Sequence, residues 1–303
     1  MVEHWSPKPG VGRSSRSSRA RPRFSRGFLF FGLTRNRFLL KLAPYLYFSF
    51  IFVLHQNQVS MTVELFVPCF IDQLYPDTAF NVVKLLEKAG ISVNYNPEQT
   101  CCGQPAFNSG YRKQTKALAE KFITDFPENR TIVSPSASCA GFIKNYYPEL
   151  FPEGDTLFAK ARHLRENLFE LTDFLVNKIN FIDFGARFPH TVCYHDACSA
   201  LREYGIRKEP RLLLSKVKGL KLVEMEETET CCGFGGTFAA KFTAISTAMT
   251  EQKIENALKT GAEYIISTES SCLMNLEGYI RKNNIPIKPI HIADVLASGW
   301  NKH

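Results

Sequence analysis

The first 60 residues of this 303-residue chain contain no cysteine and one acidic residue, Glu3. The same stretch holds 10 of the 37 Lys and Arg residues, which leaves 27 basic against 28 acidic residues in 61–303. The net charge of +8 therefore belongs to the N-terminal segment, and the body lacks the basic surplus that a nucleic-acid groove needs. Long apolar runs are also missing. The stretch "LAPYLYFSFIFVL" at 42–54 is 13 residues long, contains Pro44 and is bounded by Lys41. That falls short of the roughly 18–20 residues that span a bilayer, and no later run is long enough. Residues 1–60, with the Arg/Ser-rich "RSSRSSRARPRFSR" at 13–26, are expected to be a disordered extension, a targeting segment, or no part of the working protein, with Met61 serving as a start. The body is expected to be cytoplasmic, with no stable membrane span and no nucleic-acid partner.

Several sequence motifs are absent too. There is no G-x-G-x-x-G after a strand, no P-loop, no G-x-S-x-G and no C-x2-C-x2-C-x3-C ferredoxin run. Dinucleotide binding, phosphate cradling, serine hydrolysis and an ordinary ferredoxin module are thus not indicated. "GFGG" at 233–236 is tied to a cysteine pair, not to a phosphate.

The nine cysteines all follow residue 61. An odd number argues against a closed disulfide framework, and a chain this long needs no stapling. Eight of them form a repeat. Cys69, Cys101-Cys102-Gly103 and Cys139 are spaced C-x31-CCG-x35-C, and Cys198, Cys231-Cys232-Gly233 and Cys272 are spaced C-x32-CCG-x38-C. Recurrence at a matching spacing marks two copies of one structural unit. Cys193 lies outside the pattern, in the apolar "HTVCYH", and reads as core packing.

Hydrophobic periodicity predicts an α/β fold: two pseudo-repeated units, each a parallel sheet flanked by helices. In the first unit, 61–155, strands are expected at 62–67, 91–95 and 131–135, with helices at 77–90 and 111–126. Asp77 is the expected cap of the first helix and Gly90 its stop. Residues 156–185 read as linking helices. The second unit, 186–303, is expected to place strands at 190–195, 221–225 and 263–268, with helices at 210–217 and 244–261. Each cysteine of the repeat then follows a strand, on the loops beyond the strand carboxyl ends where such sheets bind ligands.

Four convergent thiolates suit an iron–sulfur cluster or a tetrahedral zinc ion. Adjacent cysteines aim their side chains apart, which favours a multi-metal cluster over a single zinc, and zinc remains open. Gly103, Gly233, Gly235 and Gly236 allow close backbone approach and offer amide N–H groups to anionic sulfur.

The repeat resembles the cysteine-rich CCG domain found in heterodisulfide reductase, the iron–sulfur subunit of anaerobic glycerol-3-phosphate dehydrogenase, and lactate utilization protein A. The last is the nearest in pattern, through "EQTCCGQPAFNSGY", "LTDFLVN", "YHDAC", "CCGFGGTF", "SSCLMN" and "HIADVL". The resemblance implies iron–sulfur binding of the [4Fe–4S] type, one cluster per unit, with zinc possible in one of them. It implies a non-flavin subunit that works with other redox subunits in a complex oxidising L-lactate, or a related 2-hydroxy acid such as glycolate, to the keto acid. A heterodisulfide-type oxidoreductase is the alternative within the same family. Cys69, Cys101, Cys102 and Cys139 would hold one centre, and Cys198, Cys231, Cys232 and Cys272 the other. The fuller family pattern ends each unit in C-x2-C, where this chain has Ser136 before Cys139 and Glu269 before Cys272. The rival readings are a zinc-stabilised interaction protein and a thiol–disulfide enzyme using the vicinal pairs.

Other residues are candidates beside plain alternatives. His195 is a possible accessory ligand or proton donor, or else a strand-end cap. Asp196 reads as a turn residue and His291 as a neighbour of a helix N-terminus. Arg202 and Arg207 are candidates for binding a small carboxylate, or solvated surface. Asn108 and Tyr111 read as packing or capping groups, and Phe234 as a water shield or core filler.

Overall fold

A computed structural model describes residues 61–300. The extension at 1–60 lies outside the described residues. The first half runs β1 (Thr62–Leu65), α1 (Cys69–Leu74), α2 (Pro76–Lys88), β2 (Ser92–Tyr95), α3 (Gln104–Asn108), α4 (Arg112–Asp125), β3 (Thr131–Ser134), α5 (Ala137–Tyr146), α6 (Thr156–Asn167) and β4 (Leu168–Glu170). A helical turn follows and becomes a π-helical turn at Phe174–Lys178. The second half runs β5 (Thr191–Tyr194), α7 (Lys208–Leu214), β6 (Lys221–Leu222), α8 (Thr237–Lys241), α9 (Thr243–Leu258), β7 (Tyr264–Ser267), α10 (Ser270–Lys282), β8 (Lys288–His291) and α11 (Ile292–Leu296).

The two halves carry the same sheet. The strand orders are β2-β1-β3-β4 and β6-β5-β7-β8, and every pairing is parallel. Strands β1, β3, β5 and β7 bury all residues but their first, as central parallel strands covered on both faces must. One apolar core joins the halves, since Val63, Leu85, Phe174, Val192, Leu213 and Val295 belong to a single cluster. Polar bonds cross as well: Thr78 and Asn81 of α2 donate to Asp294 of α11.

The cysteine-bearing turns follow from local chemistry. Pro68 has no N–H and cannot extend β1 in the ladder, and α1 begins directly at Cys69. Asp77 is not the cap of α2: Pro76 occupies the first helical turn, Tyr75 takes the cap position, and Asp77 instead faces the positive end of the helix dipole. The strand expected at 221–225 is only two residues long. Residues 156–185 read as linking helices, but Leu168–Glu170 form a strand that pairs with β3. Three residues are too few for a period of two to separate from a helical one.

Glu170 closes β4 and caps the turn after it, accepting from Thr172 N at 2.7 Å and Asp173 N at 3.1 Å. It is completely buried, and one carboxyl oxygen has no partner. Burial pushes its pKa up to about 8. A carboxyl raised on folding lends stability below its unfolded value and loses it as pH rises through the folded one. The unfolding free energy of the metal-free chain should therefore fall between pH 5 and pH 8, with a limiting slope of about 1.4 kcal/mol per pH unit from this group. Glu170→Gln should flatten that slope in urea titrations, and an unchanged slope would contradict the assignment.

Candidate metal centre

All eight repeat cysteines lie at the carboxyl ends of the two sheets. Cys69 starts α1 after β1, Cys101 and Cys102 lie between β2 and α3, and Cys139 sits in the first turn of α5 after β3. Cys198 follows β5, Cys231 and Cys232 lie between β6 and α8, and Cys272 sits in the first turn of α10 after β7. Both quartets line the same cavity, of about 430 Å³. Sulfurs from distant parts of the chain meet there. Cys69 Sγ lies 3.9 Å from Cys101 Sγ, and Cys102 Sγ 3.4 Å from Cys139 Sγ. In the second half Cys198 contacts Cys231, and Cys232 contacts Cys272.

The two Cys-Cys-Gly turns are built alike. Gly103 N and Gly233 N each donate to the sulfur two residues back, Cys101 Sγ and Cys231 Sγ, both at 3.4 Å. Both glycines adopt φ +89°, a left-handed conformation that side chains resist. The carbonyl of Cys102 accepts from Tyr147, and that of Cys232 from Thr250 and Asn275. Hydrogen bonds from Cys102 and then Cys69 hold the Cys101 thiol down at about 3, while Cys69 and Cys102 are pushed up by sharing protons with it and by burial.

His195 lies beside the second quartet. Its ring is fully buried and neither nitrogen has a hydrogen-bond partner. A ring nitrogen lies within 4.8 Å of both Cys232 Sγ and Cys272 Sγ. Burial, then the charge of Lys253, lowers its pKa to about 3, so the imidazole is neutral and keeps a free lone pair. A buried imidazole without a hydrogen-bond partner, set among thiols, is a donor group that could ligate a metal. Its backbone does cap the strand, donating to Ile266 O and accepting from Ser267.

The remaining candidates separate cleanly. Asp196 is buried and held bidentately by Arg211 at 2.7 and 2.9 Å, a structural pair at the turn after β5. Arg207 is committed to Glu229 at 2.9 Å, and Arg202 lines an open groove beside Cys231. His291 caps α11, and its Nε2 lies between Pro135 O and Thr268 O, one from each half. Asn108 lines the cavity, while Tyr111 is exposed at the cap of α4. Phe234 also lines the cavity and meets Phe70 of the first half edge-on at 5.6 Å. Cys193 is buried in β5 and donates to Tyr264 O, as core packing requires.

Sequence reasoning did not find the role of Glu269. Its buried carboxylate crosses to the first half, accepting from Ser138 N at 2.6 Å, Ser138 Oγ at 2.7 Å and Ser136 Oγ at 3.2 Å. Burial raises its pKa to about 7. Ser136 and Glu269 each stand three residues before the last cysteine of their half, and that matched offset was the available signal.

The sequence profile of the CCG cysteine-rich domain matches residues 63–144 and 192–277. Lactate utilization protein A 2 of Bacillus cereus (strain 03BB102) is 40% identical over 242 residues, 80% of this chain and 100% of that one. Lactate utilization protein A of Exiguobacterium sp. (strain ATCC BAA-1283 / AT1b) is 42% identical over 239 residues, 78% of this chain and 97% of that one.

A Cβ on Gly233 would lie 2.4 Å from Ser246 O, whereas one on Gly103 would meet only side-chain carbons, from 3.4 Å outward. Gly103→Ala should cost about 1–2 kcal/mol for the left-handed backbone alone. Gly233→Ala should cost clearly more in the same urea unfolding experiment. Equal losses would contradict the tighter packing of the second turn.

Proposed function

We propose that this chain, which belongs to the CCG cysteine-rich family and within it to the lactate utilization protein A family, is an iron–sulfur electron-transfer subunit of a complex that oxidises L-lactate to pyruvate. The observation that carries this reading is the convergence of two cysteine quartets on one cavity. Paired sulfurs, amide donors aimed at Cys101 and Cys231, and an unpartnered imidazole form a donor set that fits metal–sulfide.

Cys69, Cys101, Cys102 and Cys139 would hold one [4Fe–4S] centre, and Cys198, Cys231, Cys232 and Cys272 the other, with His195 as an accessory donor. Bound clusters supply one-electron transfer. The protein's own groups do the rest. Amide N–H groups and the first turns of α5 and α10 meet negative sulfur with positive dipole ends. The Phe70–Phe234 contact places apolar rings at the cavity wall, which lowers the local dielectric and strengthens these interactions.

Oxidation of lactate to pyruvate releases two electrons and two protons. The protons and the initial electron pair are handled on partner subunits, and this chain relays the electrons one at a time. It therefore works docked to other redox proteins, in the cytoplasm, and meets a 2-hydroxy acid only at the level of the complex.

A second reading is favoured by one observation. His195, Cys232 and Cys272 present their ligand atoms within 4.8 Å of one another, a spacing suited to a single zinc ion in the second half.

Anaerobic purification with iron, sulfide and zinc analysis separates these readings. Two clusters give roughly eight irons per chain, and one cluster with zinc gives roughly four irons and one zinc. Cys101→Ser/Cys102→Ser should remove the first centre only. Zinc without iron would eliminate the electron-transfer role. In a lactate-grown host, deletion of the gene should abolish growth on lactate, and unchanged growth without another lactate dehydrogenase would argue against the lactate complex.

A further inference from the structure

The halves repeat their backbone but not the wall behind each quartet. Cys69 and Cys198 each lie three residues beyond an equivalent position, Phe66 in the first half and His195 in the second. Their backbones make the same bond, Phe66 N to Val133 O at 2.9 Å and His195 N to Ile266 O at 2.8 Å. The long helices also correspond. Gly103 faces Thr115 and Leu118 of α4, and Gly233 faces Ser246 and Met249 of α9. That register sets Phe122 against Lys253.

In the first half these two positions form an aromatic pair. Phe66 and Phe122 meet edge-on at 4.9 Å, beside Phe126 and Tyr147. In the second half they are an unpartnered imidazole and an ammonium group. Lys253 is the only Lys or Arg in the buried set among the described residues. Its Nζ donates to Glu227 O at 2.6 Å and Thr228 O at 3.2 Å, both neutral carbonyls of the loop that leads to Cys231. Burial lowers its pKa, while Cys232, the carboxylates Asp196 and Glu227, and Cys231 act on it in the opposite direction. At the matching place in the first half stands Phe122, which carries no charge.

Other charges stand near the second quartet as well. Arg211 is paired with Asp196 and Glu224, and Glu269, hydrogen-bonded to Ser136 and Ser138 and with its pKa raised to about 7 by burial, acts on Cys272 in the direction opposite to Lys253. Arg202 acts on Cys198 in the same direction as Lys253. A cation buried beside a redox centre stabilises its more negative, reduced state, and a low dielectric extends that effect.

We propose that Lys253 sets the centre held by the second quartet at the higher reduction potential of the two, so that an electron passing through this chain leaves the first centre and rests on the second. In that transfer the first centre is oxidised by one electron, the second is reduced by one, and no proton is needed. Lys253 touches no reacting atom and acts on the second centre through its charge, held against the loop that leads to Cys231. The inference rests on the metal–sulfide reading of both quartets.

The test uses the full chain, reconstituted anaerobically with iron and sulfide and assayed for both before redox titration followed by EPR. A wild-type chain without iron would overturn the metal reading itself, and the inference with it. With iron present, two midpoint potentials are expected. Cys69→Ser/Cys101→Ser should leave one centre, titrating at the higher potential. Lys253→Met should lower that potential and leave the other unshifted, and Lys253→Arg should preserve it. A surviving centre at the lower potential, or a Lys253→Met chain with both centres filled and neither potential moved, would overturn the proposal. If Lys253→Met loses the second centre, the Cys69→Ser/Cys101→Ser titration decides alone.

Discussion

Eight sulfurs facing one cavity can carry negative charge together only where positive groups meet them. That constraint runs through the structure. Parallel strands bring every loop to one edge of each sheet, and helix N-termini begin at or near Cys69, Cys139 and Cys272. Gly103 and Gly233 turn their amides back onto Cys101 and Cys231, which requires a backbone that residues with side chains resist. The fold thus meets the charge mainly with dipoles, which need no counter-ion, and adds one buried cation, Lys253.

Much of this was legible in the residues. The spaced cysteines marked the repeat, and the alternation of apolar strands with amphipathic helices gave the parallel sheets. The positions of Cys69, Cys139, Cys198 and Cys272 followed from their places just after apolar runs. β4 was hidden because three residues carry no usable period, and because the helix before it is continuous with them in pattern. Lys253 was hidden for another reason. In "TEQKIENAL" it looks like any solvated lysine, and only packing against the second Cys-Cys-Gly loop buries it. Glu269 stood in plain sight as a departure from the family pattern, but its partners on the first half lie 131 and 133 residues away.

Family membership and geometry support each other without duplicating the same information. The relatives' name points to lactate utilization, which no distance in this cavity states. The cavity shows that both halves address one space, which no name states. Together they point to a chain whose helices and sheets serve to fix the geometry of the cavity between its halves.

The pairing of Ser136 with Glu269 bears on how such a chain arose. Equivalent positions of two repeats face each other across the join, as they would in a symmetric pair of identical subunits. In a pair of identical subunits that position would meet its own copy: two glutamates would repel, and two serines would be too short to build the same bridge. Fusing the copies into one polypeptide let the two sides of the contact differ, one supplying the acid and the other the donors. The same freedom let an aromatic pair on one side become an imidazole and an ammonium on the other. Tandem duplication thus let the two sides of this cavity differ, as a symmetric pair of identical subunits could not.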